Sequence, residues 1–470
     1  MKKRLAAACA VASLICMLPL HAGEDGPYSG KTVPPAEIPA AKRPRAYEAS
    51  SDGGEYAQKT RDTLAFGIDS EITELIDELQ REDDRRFAGE IYDLFQGTRS
   101  AAVREKVIAY FTKLEDPCLE DYAVEILNDP FDADSGTVGL LFDYVAKVRC
   151  AAAVPAVHNL IAGESEDYMV MAIRAMGDIG NDDEAVFLSG YMERDDLSVS
   201  QRQELIKVLG RLRAADTFDT LVGLAEDENE NSFVRRYSAE AIGAMGNPDA
   251  VPVLMRLFED SDPNLRVYVI KGLSHFDTQE ARAVLLQGIR DNHYSVRLES
   301  ISAAKEKGFS DAVPYLVYRA RNDSQQVVKD ACYPAIAKLN TSEGNEYLVS
   351  VITDEKLKND STKAKVAAAL LEYNNAGVSE IVSLAESVLN DNTRKPLRYA
   401  LGKEFAKHES PAFAEICVKY LDSKDVATQG TGLDIYAKNR FPSVTARVQE
   451  LAAQEKESVN QKKAKRILER

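Results

Sequence analysis

The sequence predicts an all-α protein built as a linear stack of helical hairpins, and three observations lead there. Val234, Leu265, Val296 and Val327 recur every 31 residues, with Ser238, Val269, Ser300 and Ala331 four residues later. Eight residues later come Ile242, Leu273, Ala304 and Ala335, and offsets of 0, 4 and 8 trace one face of a helix. A second helix repeats in the same register, with Leu254, Leu285, Leu316 and Tyr347 at offset 20 and Phe258, Ile289, Ala320 and Val351 at offset 24. No segment alternates for long enough to build a sheet. A 31-residue unit cannot hide its apolar face alone, so the units must pile up in series.

The chain divides in order as follows. Residues 1–22, within "MKKRLAAACAVASLICMLPLHAG", read as a signal peptide: Lys2, Lys3 and Arg4 precede an apolar run, and Leu-His-Ala gives a cleavage site near Ala22. The expected location is the bacterial periplasm or another exported site. Lipidation at Cys16 is disfavoured because Ile15 stands where a small residue is needed. No later stretch approaches the ~20 apolar residues of a membrane span, so the chain is not expected to span one. Residues 23–65 are rich in Pro, Gly, Ser and Ala and read as a disordered or extended tether; Lys42–Arg45, "KRPR", is a docking site or a solvated linker. Residues 66–470 read as about eleven hairpins, clearest over 165–355, along a superhelical path of ~110 Å.

The turns are punctuated accordingly. Gly246 can close one helix in the left-handed conformation, Asn247 can cap the next, and Pro248 suits its first position. "AVP" recurs at residues 153–155, 250–252 and 312–314, and such a proline is expected to bend the second helix. The stretch "SFVRRYSAEAIGAMGNPDAVPVLMRLFEDSDPNLRVYVIKGL" resembles HEAT repeats of the PBS-lyase-like type through Val234-Arg235, Ala239, Ala241, Met245-Gly246, Pro248-Asp249-Ala250-Val251-Pro252 and Asp260. That resemblance implies a right-handed α-solenoid whose second helices line the concave face, with partner binding as the usual role. It does not transfer a lyase activity.

Arg235, Arg266 and Arg297 share the 31-residue period, as do Asp260 and Asp291. Each Asp closes a second helix and each Arg begins a first helix, so these residues are expected to brace neighbouring layers as a structural ladder. A calcium loop at "DENENSFVRRYS" fails, because Ser232 replaces the turn glycine and Ser238 the bidentate glutamate. GxSxG, HExxH, Walker A and GxGxxG patterns are missing and the histidines are scattered, so no catalytic, metal or cofactor residues are assigned. Cys118 and Cys150 lie near one edge of adjacent layers and are either a disulfide or two free thiols.

The formal charge of −18 opposes binding to nucleic acid. Arg290, Tyr315, Tyr318, Arg319 and Arg321 form the candidate partner-binding cluster, since tyrosine and arginine dominate interface hot spots. The same tyrosines equally suit a role at the core edge, with the arginines paired to nearby acids. Three functions fit: an exported, non-enzymatic protein-binding scaffold using the solenoid groove; a structural subunit of an envelope or motility assembly, peripherally associated with the envelope; and a chromophore lyase or its accessory.

Overall fold

The computed structural model describes residues 32–45, 54–194, 196–455 and 457–469; the segment read as a signal peptide lies outside them. The described residues form 26 α-helices and no strand. Twelve consecutive helix pairs run from Asp69–Arg81 to Pro442–Ala452, one more than the sequence suggested. Helix Glu55–Phe66 precedes them and Val459–Glu469 follows. The array therefore starts earlier than expected: residues 55–65, assigned to the tether, are helical, with Ala57 and Leu64 in the core. Residues 32–45 carry no helix but lie against the second helices Glu120–Asn128 and Val154–Ala162.

Side chains cap the helices that the periodicity marks. Asn231 accepts from the Phe233 N–H, Asp262 from Asn264 and Thr278 from Ala281. Gly246 has φ +72°, the left-handed turn its position requires. Pro155 and Pro314 stand at the starts of their helices, not in the interiors. Each sits in the first turn of Val154–Ala162 or Val313–Asn322, after a short 3₁₀ turn, where its missing N–H has no intrahelical acceptor to lose.

Along the array each first helix packs against the next first helix and second helices lie more loosely beside one another, giving two layers. In the first-helix layer backbones nearly touch. A Cβ on Gly243 would lie 2.3 Å from Gly272 Cα, and one on Gly210 would lie 2.8 Å from Ala241 Cα. The second helices present Leu254, Leu257 and Phe258 and stand apart, leaving an open cavity of about 700 Å³ lined by residues including Phe258, Leu286, Arg290 and Tyr315. A two-layer stack bends toward its tighter layer, so the first helices line the concave face. This reverses the expectation that second helices do so. Small residues on Ser232–Ala244 and Pro263–Leu273 decide the curvature.

The bend carries far enough for the two ends to meet. Arg466 Nη2 lies 3.1 Å from Glu78 Oε1 and 3.7 Å from Glu82, joining the last first-layer helix to the first. All four described cysteines are buried free thiols. Burial pushes Cys150 up to about 11 and Cys332 and Cys417 up to about 12, with Cys118 raised further.

Candidate functional site

The repeating arginines build the frame that holds both faces in place. Arg235 Nη2 donates to Asp260 at 3.0 Å, within one hairpin. Arg266 makes two bonds to Asp291 (2.9 and 2.8 Å) and Arg297 makes two to Asp323 (both 2.8 Å). Each arginine also reaches back one layer: Arg266 Nη1 donates to Asp260 O at 2.8 Å, and Arg297 Nη1 to Asp291 O at 2.9 Å. For these three arginines the carboxylate pairs thus lie inside hairpins, and the contacts between hairpins run from guanidinium to backbone carbonyl. Arg236 adds a carboxylate pair between hairpins, to Asp262 at 2.9 Å. The same device continues with other donors, through Lys363 to Asp354 O at 2.7 Å and Arg398 to Leu389 O at 2.7 Å.

Burial opposes ionisation of Asp291 and Asp323, yet bonds from Arg266 and Arg297 and from the His293 and Gln325 N–H groups outweigh it and hold both carboxyls below their ordinary value. The strict period points to Asn322, one residue short of Asp323, so the sequence does not mark this partner of Arg297.

On the trough side of the first helices, one half-buried residue per layer forms a stripe: Tyr237, Tyr268 and Glu299. The Tyr237 and Tyr268 rings meet edge to face, with centroids 5.2 Å apart and planes at 88°. Lys207 Nζ lies 4.2 Å from the Tyr237 ring centre and Lys271 Nζ lies 4.5 Å from that of Tyr268. Burial raises the Glu299 carboxyl above its ordinary value, with Lys271 opposing the shift and Glu240 adding to it. These residues sit three and six positions after the core anchor Val234 or its equivalents, a spacing that could have marked them.

The sequence-selected cluster lies on the opposite, convex side. Arg290, Pro314, Tyr315, Tyr318 and Arg319 surround one open cavity of about 500 Å³, and Tyr318 is 60% exposed. Arg319 is held in place, its Nε donating to Ile289 O at 2.9 Å, with Asp323 at 3.6 Å. Arg321 stands apart over the Tyr347 ring at 4.9 Å. The structure therefore gathers four of the five residues and leaves Arg290, Tyr315 and Tyr318 as the exposed ones. Among the described residues no group of three or more His, Cys, Asp or Glu is arranged to hold a metal ion.

Known proteins resemble this chain at several levels. It is 31% identical over 111 residues to deoxyhypusine hydroxylase of Candida albicans, covering 23% of this chain and 34% of that protein. It is 36% identical over 66 residues to the Drosophila melanogaster protein of that name, covering 14% and 22%. The chain thus spans a minor part of the length of these curated relatives. Among solved structures, the complex of CpcE and CpcF of phycocyanin lyase from Nostoc sp. PCC7120 aligns with 50% of this chain and 92% of that one, at 19% identity and a TM-score of 0.29. Kap121p aligns with 87% of this chain and 52% of its own, at 11% identity and a TM-score of 0.40. The family described as Spirochaete HEAT repeat protein matches residues 64–467, nearly the whole helical array. The stacked hairpins, the arginine frame and this match together make the chain a member of that HEAT-repeat family.

Proposed function

We propose that the protein is an exported scaffold that binds another protein along its concave trough and performs no reaction of its own. The observation that supports this most is the stripe of Tyr237 and Tyr268 flanked by Lys207 and Lys271. It presents two large aromatic surfaces and two cations, in side chains already half-ordered by their neighbours, so a partner pays little ordering entropy there. Export rests on the basic residues 2–4 and the apolar run after them.

One experiment addresses both parts. A photoreactive phenylalanine analogue is placed at Tyr268 or at Tyr318 in the producing cell, and adducts are recovered from the envelope fraction. A discrete adduct from position 268, on a chain beginning at Gly23, is expected. Lys271→Ala should reduce its yield roughly tenfold, the scale of a hot-spot truncation. Adducts from position 318 alone would move the binding face to the convex side. No adduct at either, or a chain confined to the cytoplasm, would refute the reading.

A further inference from the structure

Residues 32–45 are held on the convex face in a way a passive tether does not require. Asn159 Oδ1 accepts the Val33 N–H at 2.8 Å while its Nδ2 donates to Val33 O at 3.0 Å. Asn128 does the same for Ala36, at 2.9 Å in both directions. The two asparagines are 31 residues apart, one layer of the array, and the residues they grip are three apart. Val33, Ala36 and Pro39 are the sheltered positions between residues 32 and 41, so every third residue faces inward. That is the period of a polyproline II helix, whose three-residue turn advances about 9 Å. Stacked helices are spaced by roughly 8–10 Å, so one turn of such a helix matches one layer.

The prolines fall where no N–H is needed: Pro34, Pro35 and Pro39 lie between or beyond the gripped positions, which are Val33 and Ala36. Downstream, the chain turns basic over an acidic patch. Lys42 pairs with Glu120 and Arg43 with Asp93, and the Arg45 N–H donates to the fully buried Asp116 at 2.9 Å. Each carboxamide satisfies both polar groups of one backbone unit and reads no side chain. Spacing, proline placement and the basic end then set specificity.

We propose that the convex face of Ala88–Gly97, Glu120–Asn128 and Val154–Ala162 is a binding site for extended, proline-containing basic segments, occupied in the resting chain by residues 32–45. The strap is a resident ligand that a segment of the same chemistry on another protein displaces. This site lies on the face opposite the Tyr237–Tyr268 stripe and stands or falls separately from it.

The test uses the full chain with residues 32–45 replaced by a Gly/Ser sequence of equal length, and a fluorescent peptide TVPPAEIPAAKRPR as probe. Saturable binding is expected, at least tenfold tighter than to the unaltered chain, whose own strap competes at an effective concentration near ~1 mM. Asn128→Ala with Asn159→Ala should abolish it, and so should the Ala36→Pro change in the peptide, which removes one gripped N–H. No saturable binding to a replaced chain of unchanged helicity would overturn the proposal, as would binding indifferent to the asparagines or equal in the unaltered chain. If the replaced chain does not fold, hydrogen exchange on the unaltered chain decides. Val33 and Ala36 amides are expected to be protected and to lose protection when excess peptide is added. Exchange at free-peptide rates, or protection unmoved by the peptide, refutes the proposal.

Discussion

Asp323→Ala is expected to destabilise the central repeats by roughly 3–5 kcal/mol, the cost of leaving a buried charge without its partner. Arg297 is 5% exposed and Asp323 3%. Removing the carboxylate deprives the guanidinium of two bonds at 2.8 Å and the Gln325 N–H of its acceptor at 2.9 Å. The carbonyls of Asp291 and Asn292 still hold Arg297 Nη1, so the charge cannot swing out to water without breaking the contact between hairpins. Urea unfolding should show the loss as a lowered midpoint. Breaking the exposed Arg256–Glu226 pair, at 62% and 41% side-chain exposure, should cost no more than ~1 kcal/mol.

The pH dependence has a definite sign. A carboxyl held below its ordinary value stabilises the fold above the unfolded pKa near 3.9 and loses that effect as pH falls through the folded value. The unaltered chain should therefore weaken below about pH 4, and Asp323→Ala should flatten that slope. Equal midpoints for Asp323→Ala and Glu226→Ala would contradict the role given to this pair.

Gly243→Ala should destabilise the fold by about 1–3 kcal/mol, although alanine is the better helix former. Its methyl would sit 2.3 Å from Gly272 Cα and 2.4 Å from Gly272 O, against backbone that cannot rotate away. Two first helices would have to separate, opening the concave layer. Gly223, in helix Phe218–Glu226, has nothing within 4 Å of the equivalent point. Gly223→Ala should instead stabilise by roughly 0.5–1 kcal/mol through helix propensity alone. Opposite signs for the same chemical change, read as shifts in thermal midpoint, would locate the tight layer on the first helices. A stabilising Gly243→Ala would remove the basis for the curvature.

Much of this architecture could be read from the sequence, because burial repeats. The anchors Val234, Leu265 and Val296, and Leu254, Leu285 and Leu316, are all buried in the core, and their period alone demands stacked hairpins. That period says which residues are buried and nothing about which layer approaches more closely. The side expected to be concave is therefore the convex one, although Ala239, Ala241, Gly243 and Gly272 carry the signal for the tighter layer. Asp323 was hidden by a one-residue slip in the repeat; the ladder of Arg235, Asp260, Arg266, Asp291 and Arg297 was legible, but its division into bonds within and between hairpins was not.

The Tyr237–Tyr268 stripe sits at non-core positions, where periodicity exerts no constraint, and the Tyr315–Tyr318 stretch is richer in the residue types that mark an interface. Asn128 and Asn159 show their 31-residue interval in the sequence, but nothing local reveals that a segment some 90 to 130 residues upstream lies across them. Closure of the ends depends on Arg466 and Glu78, 388 residues apart, and on the sum of small bends between them.

The most direct test of a single array curled around its first helices is the distance between its ends. Spin labels on Glu74→Cys and Lys462→Cys leave both Arg466 contacts, to Glu78 and Glu82, intact, and the four buried native thiols stay out of the labelling. Pulsed electron resonance should give one distance distribution below about 25 Å, the reach of two labelled side chains on adjoining helices. A distribution beyond about 60 Å, as for an open stack with a path near ~110 Å, would contradict it.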